Sequence, residues 1–142
     1  MFMSDVSIIV RKMRLFAEAS LSEYDIGFPE QLIIMYLGAY GESNQMAIAD
    51  ALEIDKGSIA KTVSKLEAKG LVTRAENPKN RREKHVALAP GANEILDAMH
   101  AAHEELDSVL FAGLSDEQAQ ATCHALSIIA ENLIKATEDA HS

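Results

Sequence analysis

Apolar and polar positions follow a helical period over most of the chain. The first 21 residues predict an amphipathic helix, because apolar side chains recur at three- and four-residue steps: Val6, Ile9, Met13, Phe16, Ala17 and Leu21. Residues 32–37 are apolar on nearly every side, so a second helix, with Pro29 in its first turn, is expected to be central and buried. Gly41 is expected to end it.

The next segment predicts two helices joined by a tight turn. Ser43 or Asn44 can cap a short third helix, and Asp55 can cap a fourth that ends at Gly70. The turn between them occupies residues 53–55. The inward side of the fourth helix is a stripe of apolar residues: Ile59, Val63 and Leu66.

After Gly70 the pattern changes to two short β-prone runs, residues 71–74 and 84–88, around a basic polar stretch. This arrangement predicts a hairpin with a basic tip. Pro90 then begins a long helix that Gly113 ends, and Ser115 with Gln118 forms a capping box for a last helix. Its apolar stripe includes Cys123, which we expect to be a buried, inert thiol.

Length and composition describe an ordinary globular chain. The 142 residues suggest one domain, and a single cysteine, which cannot form an internal disulfide, favours a reducing cytoplasm. No apolar run reaches the roughly 18 to 20 residues that a membrane span needs, so we expect no membrane partner. The net charge of −9, read as one number, argues against nucleic acid.

The distribution of charge reverses that conclusion. Residues 56–84 contain nine of the thirteen basic residues and only three of the twenty-two acidic ones, which leaves this segment at +6 and the remainder at −15. Lys61, Lys65 and Lys69 form one row on the fourth helix, a mildly unfavourable arrangement unless phosphates meet it. The small Gly57 and Ser58 leave the start of that helix open to a phosphate or a base edge. Basic residues on the hairpin suit a narrow minor groove: Arg81 and Arg82.

A helix-turn-helix followed at once by a basic hairpin is typical of a winged helix-turn-helix. Residues 45–91, and above all Leu66–Arg74 (LEAKGLVTR) with the arginine-rich wing eight residues later, resemble the MarR family of bacterial transcriptional regulators. The helix order on both sides also fits, so the resemblance covers nearly the whole chain. It implies a mainly α fold with a small β-hairpin wing, in which a winged helix-turn-helix lobe (28–89) is combined with a helical dimerisation region (1–27 and 90–140) in one domain spanning residues 1–142.

The resemblance also implies a homodimer that binds double-stranded DNA, with the fourth helix in the major groove and the wing in the minor groove. Carried over by position, Arg82 is the minor-groove arginine and Arg81 supports it on a phosphate. The base-edge candidates are Ser58, Lys61 and Thr62. The phosphate candidates are Gln45, Lys56, Lys65, Lys69 and Arg74.

Two positions depart from the family pattern. Asn80 stands where an acidic residue commonly orients a wing arginine, so it can accept a hydrogen bond but lacks the charge. Ala89 replaces the usual threonine cap of the fifth helix, at a cost of about 1 kcal/mol that Pro90 partly offsets.

Relatives of this family usually respond to a signal, often a small aromatic anion. Candidate effector contacts here are Met13, Arg14, Phe16, Tyr24, Phe28, Tyr36 and Met99, although most of these are equally well explained as core residues. A metal-sensing variant is a weaker alternative, carried by His100, His103 and Glu104 at i, i+3 and i+4. No other cofactor is expected.

No enzyme motif is present: the sequence has no nucleotide loop, nucleophile elbow or HExxH pair. The sequence therefore predicts a DNA-binding, ligand-responsive repressor rather than an enzyme. A winged-helix module whose basic face meets an acidic protein stays open as the alternative. The helix start at Gly57 and Ser58 together with Arg82 suits phosphates better than carboxylates.

Overall fold

The computed structural model describes residues 1–140, and within them it contains six α-helices, two short 3₁₀ helices and a three-stranded sheet. The helices are α1 (Phe2–Ser20), α2 (Phe28–Tyr40), α3 (Gln45–Leu52), α4 (Lys56–Ala68), α5 (Asn93–Leu110) and α6 (Asp116–Ala140). The strands are β1 (Ser43–Asn44), β2 (Val72–Asn77) and β3 (Asn80–Leu88). The prediction of a mainly α fold with a β-hairpin wing is confirmed. The chain forms two compact units, one comprising residues 1–104 and the other beginning at Glu105.

Local capping explains the ends of the short helices. The Asn44 side chain accepts a hydrogen bond from the amide of Ala47 (2.7 Å), so Asn44 rather than Ser43 caps α3. Asp55 caps α4 as predicted. Gly41 and Gly70 stand after α2 and α4 with φ of 75° and 73°, a conformation that glycine adopts without strain.

The sheet is antiparallel in the order β1-β3-β2, and its strands are longer than predicted. In the hairpin, Val72 pairs with Leu88 and Asn77 pairs with Asn80, so the turn is much tighter than the polar stretch suggested. Polar residues occupy the outer halves of both strands, where the backbone ladder continues without an apolar pattern to reveal it. The two-residue β1 is likewise too short to produce a pattern.

A single apolar core holds the first unit together. Its fully buried side chains come from α2, α3, α4 and β3, among them Ile34, Ile48, Val63, Leu66 and Val86, all at 0% exposure. The predicted stripe of α4 and the predicted burial of α2 are confirmed. Because α2 and α4 pack into this core, the outward face of α4 is held in a fixed position.

The second unit consists of the end of α5, a turn containing Gly113, and α6. The predicted capping box is present: the Ser115 amide donates to Gln118 Oε1 (2.9 Å), and the Gln118 amide donates to Ser115 Oγ (3.2 Å). No residue of α6 is buried, and Cys123 is exposed, so the prediction of a buried thiol is wrong. The amphipathic pattern identifies an apolar stripe but does not show what covers it.

Helix α1 also has no buried residue. Its exposed apolar side chains include Ile8, Ile9, Val10 and Leu15. Across residues 1–140, no helix combines the length and apolar character needed to cross a bilayer.

Candidate nucleic-acid interface

A groove of about 670 Å³ lies between the wing and the starts of α3 and α4. Three cations from two elements line it: Lys56 at the start of α4, and Arg82 and Lys84 on β3. Four of the predicted site residues meet here. The full lining is Asn44, Gln45, Met46, Lys56, Gly57, Ala60, Asn80, Arg82, Glu83 and Lys84.

The start of α4 is already occupied by a carboxylate. Asp55 Oδ1 accepts from the Ser58 amide (2.8 Å) and Asp55 Oδ2 accepts from the Ser58 hydroxyl (2.6 Å). These two hydrogen bonds from Ser58 hold the pKa of Asp55 below its ordinary value. The expectation that this end of the helix is open to a phosphate is therefore corrected: Gly57 is small, but the amide of Ser58 is capped from within the chain.

The outward face of α4 carries exposed cations. Lys61 and Lys65 are exposed, and neither side chain makes a hydrogen bond or ion pair with the described residues. Thr62 is half-buried, and its hydroxyl donates to the carbonyl of Ser58 (2.9 Å). The hydroxyls of Ser58 and Thr62 thus donate inside the helix, which leaves their oxygens as acceptors on this face.

Two of the predicted phosphate contacts are held by the fold instead. Lys69 pairs with the buried Glu30 (Nζ to Oε2, 2.9 Å) and also donates to the carbonyl of Asp25. These contacts of Lys69 connect the end of α4 to the start of α2 and to the residues just before it.

Arg74 also makes hydrogen bonds within the protein. Its guanidinium donates to Glu67 (3.1 Å), Ser64 (3.2 Å) and Gln45 (3.3 Å), which connects β2 to both helices of the helix-turn-helix. We therefore assign Lys69 and Arg74 a structural role. Gln45 lines the groove while accepting from Arg74, so it stands at the boundary between the two roles.

The wing presents its arginines to solvent. Arg81 and Arg82 are exposed and unpaired within the described chain. Asn80 Oδ1 accepts from the backbone amide of Arg82 (3.2 Å), so asparagine does accept a hydrogen bond at the position where the family commonly has an acid. It orders the backbone of the wing rather than the guanidinium.

Among the groove residues that sequence reasoning missed, two are charged: Glu83 and Lys84. Glu83 accepts from the side-chain amides of Asn77 (2.7 Å) and Asn44 (2.9 Å), and these bonds hold its pKa below the ordinary value. One signal was available: in an antiparallel hairpin, a residue near the start of the second strand lies beside the end of the first. The contact with Asn44 had no such signal, because β1 was not predicted.

The predicted effector contacts are largely engaged within the first unit. Arg14 pairs with Glu18 (3.0 Å) and lies 5.9 Å from the centre of the Phe28 ring. Met99 is buried in the core, and Tyr24 donates to Glu94 (3.4 Å).

The remaining effector candidates are partly buried. Tyr36 packs against Tyr40, with ring centroids 4.9 Å apart. Met13 and Phe16 are half-buried on α1.

The histidine-rich turn of α5 does not form a metal site. Among residues 1–140, no group of three or more His, Cys, Asp or Glu side chains is arranged to hold a metal ion, and this includes His100, His103 and Glu104. The metal-sensing alternative therefore has no ligand set within the part of the chain that the structure describes.

Comparison with known proteins decides the family. The MarR family model matches residues 24–83, which contain the helix-turn-helix and most of the wing. The crystal structure of a MarR transcriptional regulator from Methanosarcina mazei Go1 is 27% identical, covers 95% of this chain and 97% of that chain, and superposes with a TM-score of 0.87. Residues 24–83 thus match the MarR family, and the whole chain has the fold of a MarR transcriptional regulator.

Two further solved structures with lower sequence identity share the fold. The Staphylococcus aureus MepR–DNA complex is 22% identical, with 93% of this chain and 98% of that chain covered and a TM-score of 0.85. The Staphylococcus aureus MarR in complex with salicylate and kanamycin is 23% identical, with 94% and 91% covered and a TM-score of 0.82. The match to the MarR family and the likeness to the Methanosarcina mazei regulator make this chain a DNA-binding transcriptional regulator rather than an enzyme, as the sequence predicted.

Proposed function

We propose that this MarR family member is a ligand-responsive repressor that binds a pseudopalindromic operator as a homodimer. In each protomer, Lys61 and Lys65 of α4 enter the major groove, and Arg82 of the wing enters the adjacent minor groove. One observation carries this proposal: the fold gathers cations from α4 and β3 around one groove, beside the exposed face of α4. Half-sites about one helical turn apart are expected for such a dimer.

The homodimer is supported by apolar surface that the chain does not cover. Leu126, Ile128 and Leu133 of α6 are 52%, 45% and 62% exposed, and α1 has its own exposed apolar residues. Helices with apolar stripes are stable in water when another surface buries them. Because no residue of α1 or α6 is buried, we assign both helices to contact with a second copy.

The proposed effector is a small aromatic anion. The S. aureus MarR structure with salicylate supplies one instance of such a compound bound to a structural relative. In this chain, Arg14 beside Phe28 combines a cation with an aromatic ring, which suits a planar carboxylate.

Salt-dependent DNA binding tests the assignment of the wing. Fluorescence anisotropy with a labelled 30-base-pair duplex, between 50 and 200 mM salt, measures affinity and its salt slope. We expect Arg82→Ala to weaken binding about tenfold on specific and random sequences alike, and to make the slope shallower by about one unit. The matched control is Lys135→Ala on α6, which removes the same charge outside the proposed interface.

An unchanged affinity and slope in the Arg82 variant would overturn the assignment of the wing. Binding of an acidic protein with no binding of any duplex would favour the alternative of a protein–protein module.

A further inference from the structure

We propose that Glu83 is a positioning residue: it fixes the wing against the helix-turn-helix and thereby increases DNA affinity, although it carries a negative charge in a cationic groove. The inference rests on the proposed mode of DNA binding. It extends that proposal to a residue that touches no phosphate and acts through the wing.

Both oxygens of the Glu83 carboxylate accept hydrogen bonds. One oxygen, Oε1, accepts from the Asn44 side-chain amide (2.9 Å), and the other, Oε2, accepts from the Asn77 side-chain amide (2.7 Å). Asn44 itself caps α3 through the amide of Ala47, and Asn77 ends β2 at the hairpin turn. Glu83 therefore joins the start of the helix-turn-helix to the tip of the wing through two short hydrogen bonds.

The neighbouring charges make this arrangement unusual. Lys56, Arg82 and Lys84 line the same groove, and His85 Nε2 lies 3.6 Å from Glu83 Oε1. Electrostatics alone predicts that an acid placed here repels a phosphate backbone and weakens DNA binding. The two amide donors hold its half-buried carboxylate in place at the edge of the groove, so that it orders the strand that carries Arg82.

A nearby acid supplies the matched control. Glu76 lies on β2 of the same hairpin and is exposed, and its side chain makes no hydrogen bond or ion pair within the described residues. Glu76→Gln and Glu83→Gln therefore remove the same charge from the same wing. Only Glu83→Gln breaks the bridge, because it replaces one of the two accepting oxygens with an NH₂ group, and this donor then faces the donor NH₂ group of an asparagine.

The sign of the change in affinity is the test. With a labelled random-sequence 30-base-pair duplex at 100 mM salt, we expect Glu83→Gln to bind on the order of tenfold more weakly than wild type, as for loss of a hydrogen bond to a charged group. Glu76→Gln is expected to bind equally or more tightly. If Glu83→Gln also binds equally or more tightly, the inference is overturned.

A double variant that exchanges the acid and the amide between positions 83 and 77 tests whether DNA affinity can be restored. In the double variant Glu83→Gln with Asn77→Asp, the new amide can accept from Asn44 and donate to the new carboxylate, and the total charge equals that of wild type. We expect this variant to recover most of the lost affinity. Failure to recover, with an unchanged thermal midpoint, contradicts the bridging role.

Hydrogen exchange in the free protein separates this inference from the proposed function. Glu83→Gln should speed exchange of backbone amides in residues 77–83, whereas Glu76→Gln should not. If these amides respond as expected but wild type binds no duplex, the DNA-binding mode is wrong and the bridge survives as a feature of the wing. If the amides do not respond, the bridge itself is wrong.

Discussion

The winged helix-turn-helix and the last helix carry similar amphipathic patterns but differ in what covers them. In α4 the stripe of Ile59, Val63 and Leu66 is buried to within 1% exposure by its own chain. In α6 the corresponding stripe has no buried residue, and Leu133 is 62% exposed. The same periodicity therefore places apolar side chains in the core in α4 and on an exposed surface in α6.

This difference separates two kinds of stability. Substitutions in the core of α4 change the folding free energy of the protomer itself. Substitutions on the exposed stripe of α6 change, under the proposed homodimer, the association of two protomers. Separate measurements of protomer association and of unfolding can therefore distinguish the two stripes.

The largest expected effect is on association. Leu133→Asp places one carboxylate per protomer in the proposed apolar contact, so a dimer buries two, each at a cost of about 2 kcal/mol. We expect the dimer dissociation constant to rise about 1,000-fold. Sedimentation velocity over a range of concentrations measures it.

Gln120→Asp is the matched control, since it adds the same charge to the polar face of α6 and should leave association unchanged. Equal sedimentation of the Leu133 variant and wild type, both as stable dimers, would show that this stripe lies outside the contact.

The second prediction concerns the core. Leu66 is fully buried, so Leu66→Ala should lower the free energy of unfolding by about 3 kcal/mol through lost burial and the cavity left behind. Urea denaturation followed by circular dichroism measures the change. Leu133→Ala removes the same atoms from an exposed position. If both variants cost the same in dilute monomer, the distinction between the two stripes fails.

The smallest effect is expected at the cap of α4. The pKa of Asp55 is lowered in the folded protein, chiefly by hydrogen bonds from Ser58. A lowered pKa adds stability at neutral pH, and this contribution is lost as the pH falls through the ordinary carboxyl range toward the folded value.

Asp55→Ala should therefore be less stable than wild type at pH 7, with a smaller difference near pH 3. Urea denaturation at both pH values measures it. Asp50→Ala changes an exposed carboxylate of α3 with no side-chain hydrogen bond among residues 1–140, and its effect should not depend on pH in this way. A deficit for Asp55→Ala that stays constant between the two pH values would contradict the role of the charge.

Most of the fold could be predicted because its signals are local. The caps Asn44 and Asp55, the glycines at 41 and 70, and the capping box at Ser115 each act within a few residues, and the structure contains all of them. Strand β1 could not be predicted, because two residues joined to β3 by long-range pairing leave no periodic trace.

The candidate site was less predictable, because charge alone does not show where a side chain is directed. Lys69 continues the row of Lys61 and Lys65 in sequence, yet its amine pairs with Glu30, a buried residue far away along the chain. Arg74 is likewise held by Glu67. The exposed row of lysines on α4 is thus shorter than the sequence suggested. The groove contains Lys84 as well, which was not predicted.

The absence of buried side chains in α6 has a consequence for how stability depends on the amount of protein in the cell. Under the proposed homodimer, association removes apolar surface from water only in the folded pair, so mass action raises the thermal midpoint with protein concentration. A regulator made in few copies would then spend its early life as dilute protomers, whose apolar helices stay exposed. Under the same proposal its lifetime would increase with its own abundance, before any DNA is bound.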